Sequence, residues 1–200
     1  MRRLLEDPAI YQSFQVLGGF FSARTRAISE YLKLKAGDRV LDIGCGPGFI
    51  ANHLPPGVIY NGFDIDQRYI SYAQKHFGNR GNFHCEVFNE TSARRFEGVD
   101  VVMLNGLLHH VDDQTATDLL NMARVALRPG GTGFTLDGCF RQGQSQFVRW
   151  LLQNDRGRYV RTGEGYRKLY DAVFERTDIN VREDLSWVPY TFAIGLLHKS

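Results

Sequence analysis

Two rhythms of apolar residues alternate along the chain. Short apolar runs, Val40 to Ile43, Val58 to Phe63, Phe83 to Val87, Val101 to Leu104 and Thr132 to Leu136, have the length and composition of strands. Between them apolar residues recur every three or four positions. Gln67 to Phe77 sets Tyr69, Ile70, Ala73 and Phe77 on one side, and the stretch from Asp113 to Leu127 does the same with Ala116, Leu119, Leu120, Ala123 and Leu127. Pro55-Pro56 stops a short helix from Phe49 to Leu54, and Arg128-Pro-Gly-Gly131 stops the longer one. The run at Val101 to Leu104 is continuous rather than alternating, as a strand is when helices cover both faces of a parallel sheet.

The two ends are less regular. Residues 1 to 37 read as helical, with Ile10, Phe14, Leu17 and Phe21 at helical spacing, and Gly18-Gly19 predicts a break into two helices, the second from Ala23 to Leu34. The segment from Phe88 to Phe96 shows no period. From Asp137 to Thr162 only Phe147 to Leu152 suggests a helix; a helix from Glu164 to Phe174 and strands at Thr177 to Val181 and Tyr190 to Leu197 follow, the two strands pairing antiparallel across Trp187 and Pro189. The alternation predicts one doubly wound α/β domain with helices on both faces and right-handed crossovers. Its parts are a helical cap (1–37), a cofactor-binding core (38–137), and a substrate-side insertion with the final strand pair (138–200).

Composition narrows the class without naming a partner. The chain has 200 residues, 43% hydrophobic and 23% charged, with a net charge of +2, which is ordinary for a globular protein. No apolar stretch approaches the twenty or so residues of a membrane span. The first residues lack the apolar core of a signal peptide, and three widely spaced cysteines suit a reducing compartment, so a cytoplasmic protein is expected. The arginines are dispersed, with no aromatic and basic interleaving to form a nucleic-acid track. Cysteines and histidines show no metal spacing.

The sharpest chemical signal is the glycine turn after the first strand, Gly44-Cys-Gly-Pro-Gly48. Closely spaced glycines allow a tight turn and close approach of backbone to a ligand. The dinucleotide fingerprint needs G-x-G-x-x-G, whereas this turn is G-x-G-x-G, and Asp42 inside the strand is also foreign to that pattern. A carboxylate there must be paired or face the turn amides or a ligand.

From this turn onward the chain resembles the class I S-adenosylmethionine-dependent methyltransferases of small molecules. Val40-Leu-Asp-Ile-Gly-Cys-Gly-Pro-Gly48 looks like their first motif, Gly62-Phe-Asp64-Ile-Asp the acidic end of their second strand, Asp100 to His110 their fourth strand and its turn, and Leu127-Arg-Pro-Gly-Gly131 the turn before their fifth strand. The likeness covers about residues 36 to 138. It implies a mostly parallel, seven-stranded Rossmann-like sheet with the last strand antiparallel. It also implies S-adenosylmethionine as cofactor, with S-adenosylhomocysteine as product. Gly44, Gly46 and Gly48 would lie against the methionine portion, with Asp42 behind them and Cys45 fitting between them. Asp64 would accept from the ribose hydroxyls, with Ile65 beside it and Asp66 competing for that role. Glu86 stands where the family often has Asp reading the adenine amino group, Val87 would pack on the ring, and Asn105 would make polar contact near the methionine end.

The acceptor side is less explicit. His109 and His110 are the candidate catalytic residues, since a hydroxyl acceptor can need a base and an imidazole suits that task. Only one of two adjacent residues is expected to face the pocket. Tyr11, Arg24, Arg141, Arg149, Tyr159 and Arg161 lie in segments that would cover the C-terminal edge of the sheet, where open α/β folds bind ligands. From Arg141 through Lys168, seven Arg or Lys stand against Asp155 and Glu164, which weakly favours an acidic acceptor. The expectation is methyl transfer to a small acceptor, oxygen slightly preferred over nitrogen or carbon. A nicotinamide-dependent oxidoreductase and a non-catalytic binding protein on the same fold are the alternatives, and monomer and homodimer are both open.

Overall fold

The computed structural model describes residues 19–154 and 157–200. The stripe Ile10, Phe14 and Leu17, the candidate Tyr11, and Asp155 and Arg156 of the basic stretch lie outside the described residues. One sheet organises the rest. Its main strands are β1 (Arg39–Ile43), β2 (Ile59–Asp64), β3 (Asn82–Cys85), β4 (Val99–Asn105), β5 (Leu127–Phe140), β7 (Arg176–Arg182) and β8 (Phe192–His198), while a two-residue β6 (Arg161–Thr162) sits beside the end of β5. The order across the sheet is β3-β2-β1-β4-β5-β8-β7. Strands β1 to β5 pair in parallel, and β8 runs antiparallel to both neighbours, so seven strands form the sheet with β6 as an added eighth.

Alternate strand residues point to opposite faces, and each face has its own core. On one, Val40, Tyr60, Met103, Phe134 and Ile194 meet the helices α1 (Phe20–Tyr31), α2 (Gln67–Phe77) and α5 (Gln146–Asn154) through Ala23, Ala27, Ile70, Ala73, Val148 and Leu152. On the other, Leu41, Phe63, Val102, Leu104 and Leu197 meet α3 (Glu90–Arg95), α4 (Asp113–Ala126) and α6 (Gly163–Asp171) through Ala93, Ala116, Leu120, Ala123, Tyr166 and Tyr170. Small residues on the helix faces let the helices sit close to the sheet. Each fully buried Leu or Phe contributes about 1.5–3 kcal/mol relative to exposure.

Three expectations need correction. Phe88 to Phe96 is not irregular throughout, because Asn89 caps α3 by accepting from the Ser92 amide. Six residues are too few to display a period. The strand after Arg128-Pro-Gly-Gly131 does not begin at Thr132. β5 already starts at Leu127, opposite Val99, and Gly130 donates to the Lys199 carbonyl, so the glycines lie within the strand. It also runs past Leu136 to Phe140, which carries Asp137 inside it. The third strand ends at Cys85, leaving Glu86 and Val87 beyond it. Among the described residues no helix is long and apolar enough to cross a membrane, and no cluster of His, Cys, Asp and Glu could hold a metal ion.

Candidate active site

The sheet's growth direction reverses between β1 and β4, so the chain ends of these strands diverge and leave a crevice. A cavity of about 630 Å³ opens there. Gly44 to Pro47 of the turn after β1 form one wall, and the glycines of the turn, Gly44, Gly46 and Gly48, have φ of 76°, 55° and 77°. Non-glycine residues rarely adopt that backbone. The turn is tied to the end of β2: Gly44 and Cys45 both donate to the Phe63 carbonyl, at 2.8 and 2.9 Å. The Asp64 carboxylate accepts from Gly46 N–H and from Asp66 N–H, each at 2.9 Å. Burial holds its carboxyl above the ordinary range, an effect partly offset by the Asp66 and Gly46 amides. Asp66 caps α2 by accepting from Arg68 N–H, so the cap and the cavity-lining carboxylate are two different residues. Gly48 is fixed by packing rather than by the cavity, since a Cβ there would stand 2.7 Å from the Phe83 ring and 2.8 Å from Ala73.

Beneath the turn lies a cluster of three buried polar side chains, Asp42, Tyr60 and Asn105. Asp42 is 1% exposed; Tyr60 O–H donates to its Oδ2 at 2.8 Å, and its Oδ1 has no hydrogen-bond partner among the described residues. Burial raises its carboxyl to about 7, against the opposing pull of the Tyr60 hydroxyl and the Arg24 charge. The Asn105 amide, at the end of β4, stands close enough to favour the Asp42 anion. Neither its nitrogen nor its oxygen completes a hydrogen bond among the described residues, although the residue is buried and lines the cavity. Such orphaned groups are rare in folded proteins and mark a place where a polar ligand completes the network. Arg24, from α1, also lines the cavity, and a Cβ on Gly106 would stand 2.9 Å from its guanidinium. Cys45 shares this wall; burial and the nearby Asp42 and Asp64 carboxylates push its thiol well above the ordinary value, so it is packing and no nucleophile.

At the other end of the cavity stands a buried His–Asp pair. His109 sits in the 3-10 turn Leu108–His110 that follows β4, and its Nδ1 lies 2.7 Å from Asp137 Oδ1, which also accepts the His109 backbone N–H at 3.2 Å. His110 is exposed, though it touches the same cavity, and its ring centroid is 4.1 Å from that of His109. The turn is held from outside by Arg161, whose guanidinium donates to the Leu108 carbonyl (2.7 Å), the Val111 carbonyl (2.8 Å), the Tyr159 carbonyl (3.0 Å) and Asp113 (2.8 Å). Arg161 is thus a clamp on the histidine turn and does not line the cavity. Tyr159 contributes its backbone, donating N–H to the His109 carbonyl at 2.9 Å, while its ring is exposed.

The remaining wall is apolar and comes from distant parts of the chain: Phe20 and Phe21 of α1, Trp150 and Leu151 of α5, and Tyr190 with Phe192 at β8. Phe20 packs edge-on against Tyr190 at 5.0 Å between centroids. Of the basic residues assigned to the substrate, only Arg24 reaches this space among the described residues. Arg141 pairs with Glu183 at 2.7 Å, and Arg149 lies over the Phe140 ring at 5.4 Å. Ile65 and Val87 are exposed outside the cavity wall, and Glu86 is engaged by Arg95 and Ser92 of α3. Sequence reasoning missed Asp137, Tyr69, Leu107 and the part of the aromatic wall made by Trp150, Tyr190 and Phe192. An acid at the C-terminal edge of the strand beside Asn105 was the available signal for Asp137.

A family model described as a methyltransferase domain matches residues 40–131. Ubiquinone biosynthesis O-methyltransferase of Aromatoleum aromaticum is 26% identical over 149 residues, covering 63% of this chain and 63% of that protein. Phosphoethanolamine N-methyltransferase of Triticum aestivum is 29% identical over 182 residues, covering 84% of this chain and 34% of the relative. The chain therefore spans between about a third and two thirds of the length of these relatives. Human N-acetylserotonin methyltransferase, solved in complex with SAM, superposes with a TM-score of 0.70 at 19% identity over 96% of this chain and 55% of that one. The last likeness concerns the fold.

Proposed function

We propose that this chain, which carries a class I, Rossmann-like methyltransferase domain, moves a methyl group from S-adenosylmethionine to a hydroxyl of a small, largely apolar acceptor. One observation carries the reading: a single cavity joins the glycine turn and the unsatisfied Asn105, with Asp42 buried behind them, to a buried His109–Asp137 pair under an aromatic wall.

The residues fit the cofactor. The orphaned Asp42 and Asn105 atoms suit its ammonium group, and Arg24 beside Gly106 suits its carboxylate, a different role from the substrate contact first expected of it. Asp64 keeps lone pairs for ribose hydroxyls after accepting two amides. Ile65 and Val87 offer apolar surface for a purine just outside the cavity. When bound, S-adenosylmethionine supplies a methyl group activated by a sulfonium and leaves as a neutral thioether.

The chain's own contribution is to orient, to exclude water and to move a proton. Holding two reactants in line removes much of the entropic barrier, and an apolar wall limits competing water. His109 would take the hydroxyl proton as the acceptor oxygen becomes nucleophilic. Oxygen is favoured over a basic amine because the acceptor end holds a base and no second carboxylate besides Asp137 among the described residues. The acidic acceptor suggested by the basic stretch loses support, since Arg141 and Arg161 are committed to Glu183 and Asp113. Three unpaired cysteines support a reducing, cytoplasmic setting.

Calorimetry with S-adenosylmethionine, S-adenosylhomocysteine and NAD tests the first half. Binding of the first two and silence with NAD are expected; NAD binding without the others would overturn the reading. A labelled-donor panel of neutral phenols, aliphatic carboxylates and phosphorylated amines tests the second half. Label on the phenols alone is expected.

A further inference from the structure

Of the Phe, Tyr and Trp rings around the cavity, Trp150 is the one left largely in water. It lines the cavity and is 57% exposed, whereas Tyr190 and Phe192 of the same wall are 5% and 4% exposed. Large apolar side chains are normally covered, so an indole held open at a cavity needs a reason. It is not there through looseness. Val148 and Leu152, four residues apart and 6% and 0% exposed, anchor α5 in the core, and Trp150, Leu151 and Asn154 are carried on the flank of that fixed helix. The Asn154 amide donates to the Trp150 carbonyl at 2.8 Å and closes the last turn.

The ring plane is also set from outside. Phe147, 54% exposed and not part of the cavity lining, lies nearly parallel to the indole, with centroids 6.5 Å and planes 20° apart. The other rings of the wall are engaged with one another: Phe20 is edge-on to Tyr190 at 5.0 Å and to Phe192 at 6.4 Å, and Tyr190 is 4.9 Å from Phe192. Among the described residues Phe147 is the one ring partner of Trp150. A single offset partner covers at most one face of an indole. The other face is left for a ligand.

We propose that Trp150 is the specificity-determining residue of the acceptor end, a platform on which a planar aromatic acceptor stacks, so that flat aryl hydroxyls are chosen over saturated alcohols of the same size. This rests on the methyl-transfer reading above and names its substrate class. Apolar area cannot separate the two kinds of alcohol, because both bury a similar amount. A π face can: offset-stacked rings gain about 2- to 12-fold in affinity beyond their buried area. Because Phe147 and α5 already hold the indole, little side-chain ordering is left to oppose binding. The platform lies outside residues 40–131, the part matched by the methyltransferase domain model, and so belongs to this chain's own insertion between β5 and β6.

Indole resonances test it. The chain has two tryptophans, so a 15N-labelled sample gives two indole Nε1–H signals. Trp187→Phe, at a residue 71% exposed and outside the cavity lining, identifies Trp150 as the signal that remains. The unmodified protein is titrated with 2-naphthol and with its saturated analogue, decahydro-2-naphthol. A ring stacked on the indole shields its N–H, so a saturable upfield shift at Trp150 is expected with the first alcohol and not with the second. Absence of that shift, or the same shift with both alcohols, would overturn the proposal. In Trp150→Leu the preference for 2-naphthol, as a ratio of dissociation constants, should fall about 2- to 12-fold, with Trp150→Phe keeping most of it and S-adenosylhomocysteine affinity unchanged. A ratio unmoved in Trp150→Leu would also overturn it. Failure of S-adenosylhomocysteine to bind the unmodified protein would instead sink the methyl-transfer reading, while the indole shift, which is read without that ligand, stands or falls separately.

Discussion

The two ends of the cavity are built by different means. At the cofactor end the wall is backbone: Gly44 and Gly46 at positive φ, amides tied to the Phe63 carbonyl and Asp64, and strand ends placed by parallel pairing. At the acceptor end the wall is side chain, with Phe20, Trp150, Tyr190 and Phe192 brought together from α1, α5 and β8. Backbone walls tolerate little change but are indifferent to most neighbouring side chains. Side-chain walls can be redrawn by single substitutions, which is where substrate choice can vary on a constant fold.

The largest expected effect contrasts stability with binding at the cofactor end. Asp42 has its folded carboxyl raised to about 7 from the ordinary 3.8 by burial. The folded state therefore holds a proton that the unfolded chain has already lost. The resulting stabilisation is complete below about pH 4 and disappears as pH rises through about 7. Asp42→Asn removes this dependence, so its stability gain over the parent should grow between pH 4 and pH 8, by an amount on the order of 4 kcal/mol at most. Thermal melts across that range would show it. Cofactor affinity should move the other way, weakening most at pH 8 because an ammonium prefers the anion that the variant lacks. A variant that gained stability and kept its affinity would remove Asp42 from the ligand site.

Within the turn itself, Gly48 and Gly46 separate structural from ligand roles. Gly48→Ala combines a positive φ with contacts of 2.7 and 2.8 Å to Phe83 and Ala73, so a loss of about 2–4 kcal/mol is expected in denaturant melts. Gly46→Ala has φ of 55° but nothing within 4 Å of its Cβ. It should cost only about 1–2 kcal/mol of stability while lowering cofactor affinity, if the cofactor lies against that backbone. Equal affinities in Gly46→Ala and the parent would mean the turn is structural.

Asp64→Asn is a milder change at the same wall. The amide keeps one acceptor for Gly46 or Asp66 but turns a donor toward the other amide and loses the charge. Hydrogen bonds to charged groups are worth about 1.5–3 kcal/mol, which predicts roughly a 10- to 100-fold weaker S-adenosylhomocysteine affinity by calorimetry. Loss of fold rather than affinity would assign Asp64 to the turn alone.

The same division explains what could be read from the sequence. Val40 to Ile43, the helix Gln67–Phe77 and the glycine turn were legible because local pattern and backbone chemistry specify them. Asp42, Asp64 and Asn105 followed from their places at strand ends. Asp137 was not found because the strand was expected to stop at Leu136 before it, and α3 was not found because its one signal was a cap, Asn89. The meeting of Trp150, Tyr190 and Phe192 with α1 and the Arg161 clamp were invisible because they depend on contacts across about 50 to 170 residues, for which a single sequence has no period. Charge counting misled for a related reason: a local excess of arginines says nothing about which acids the fold brings to meet them.

Arg141 is the plainest case, and it carries the smallest predicted effect. It stands in the stretch that suggested an acidic acceptor, yet its guanidinium donates to Glu183 at 2.7 Å with both side chains about half exposed, at 54% and 45%. An exposed pair of this kind is worth about 0–1 kcal/mol. Arg141→Ala should therefore leave stability within about 1 kcal/mol of the parent and acceptor KM within about twofold. The outcome that matters is selectivity across a panel of neutral and carboxylate-bearing acceptors. If the acceptor end is the apolar side-chain wall described, the ratio of kcat/KM between the two classes is unmoved by the substitution. A fall in that ratio confined to the carboxylates would place Arg141 back at the substrate and make the basic stretch, rather than the aromatic wall, the determinant of choice.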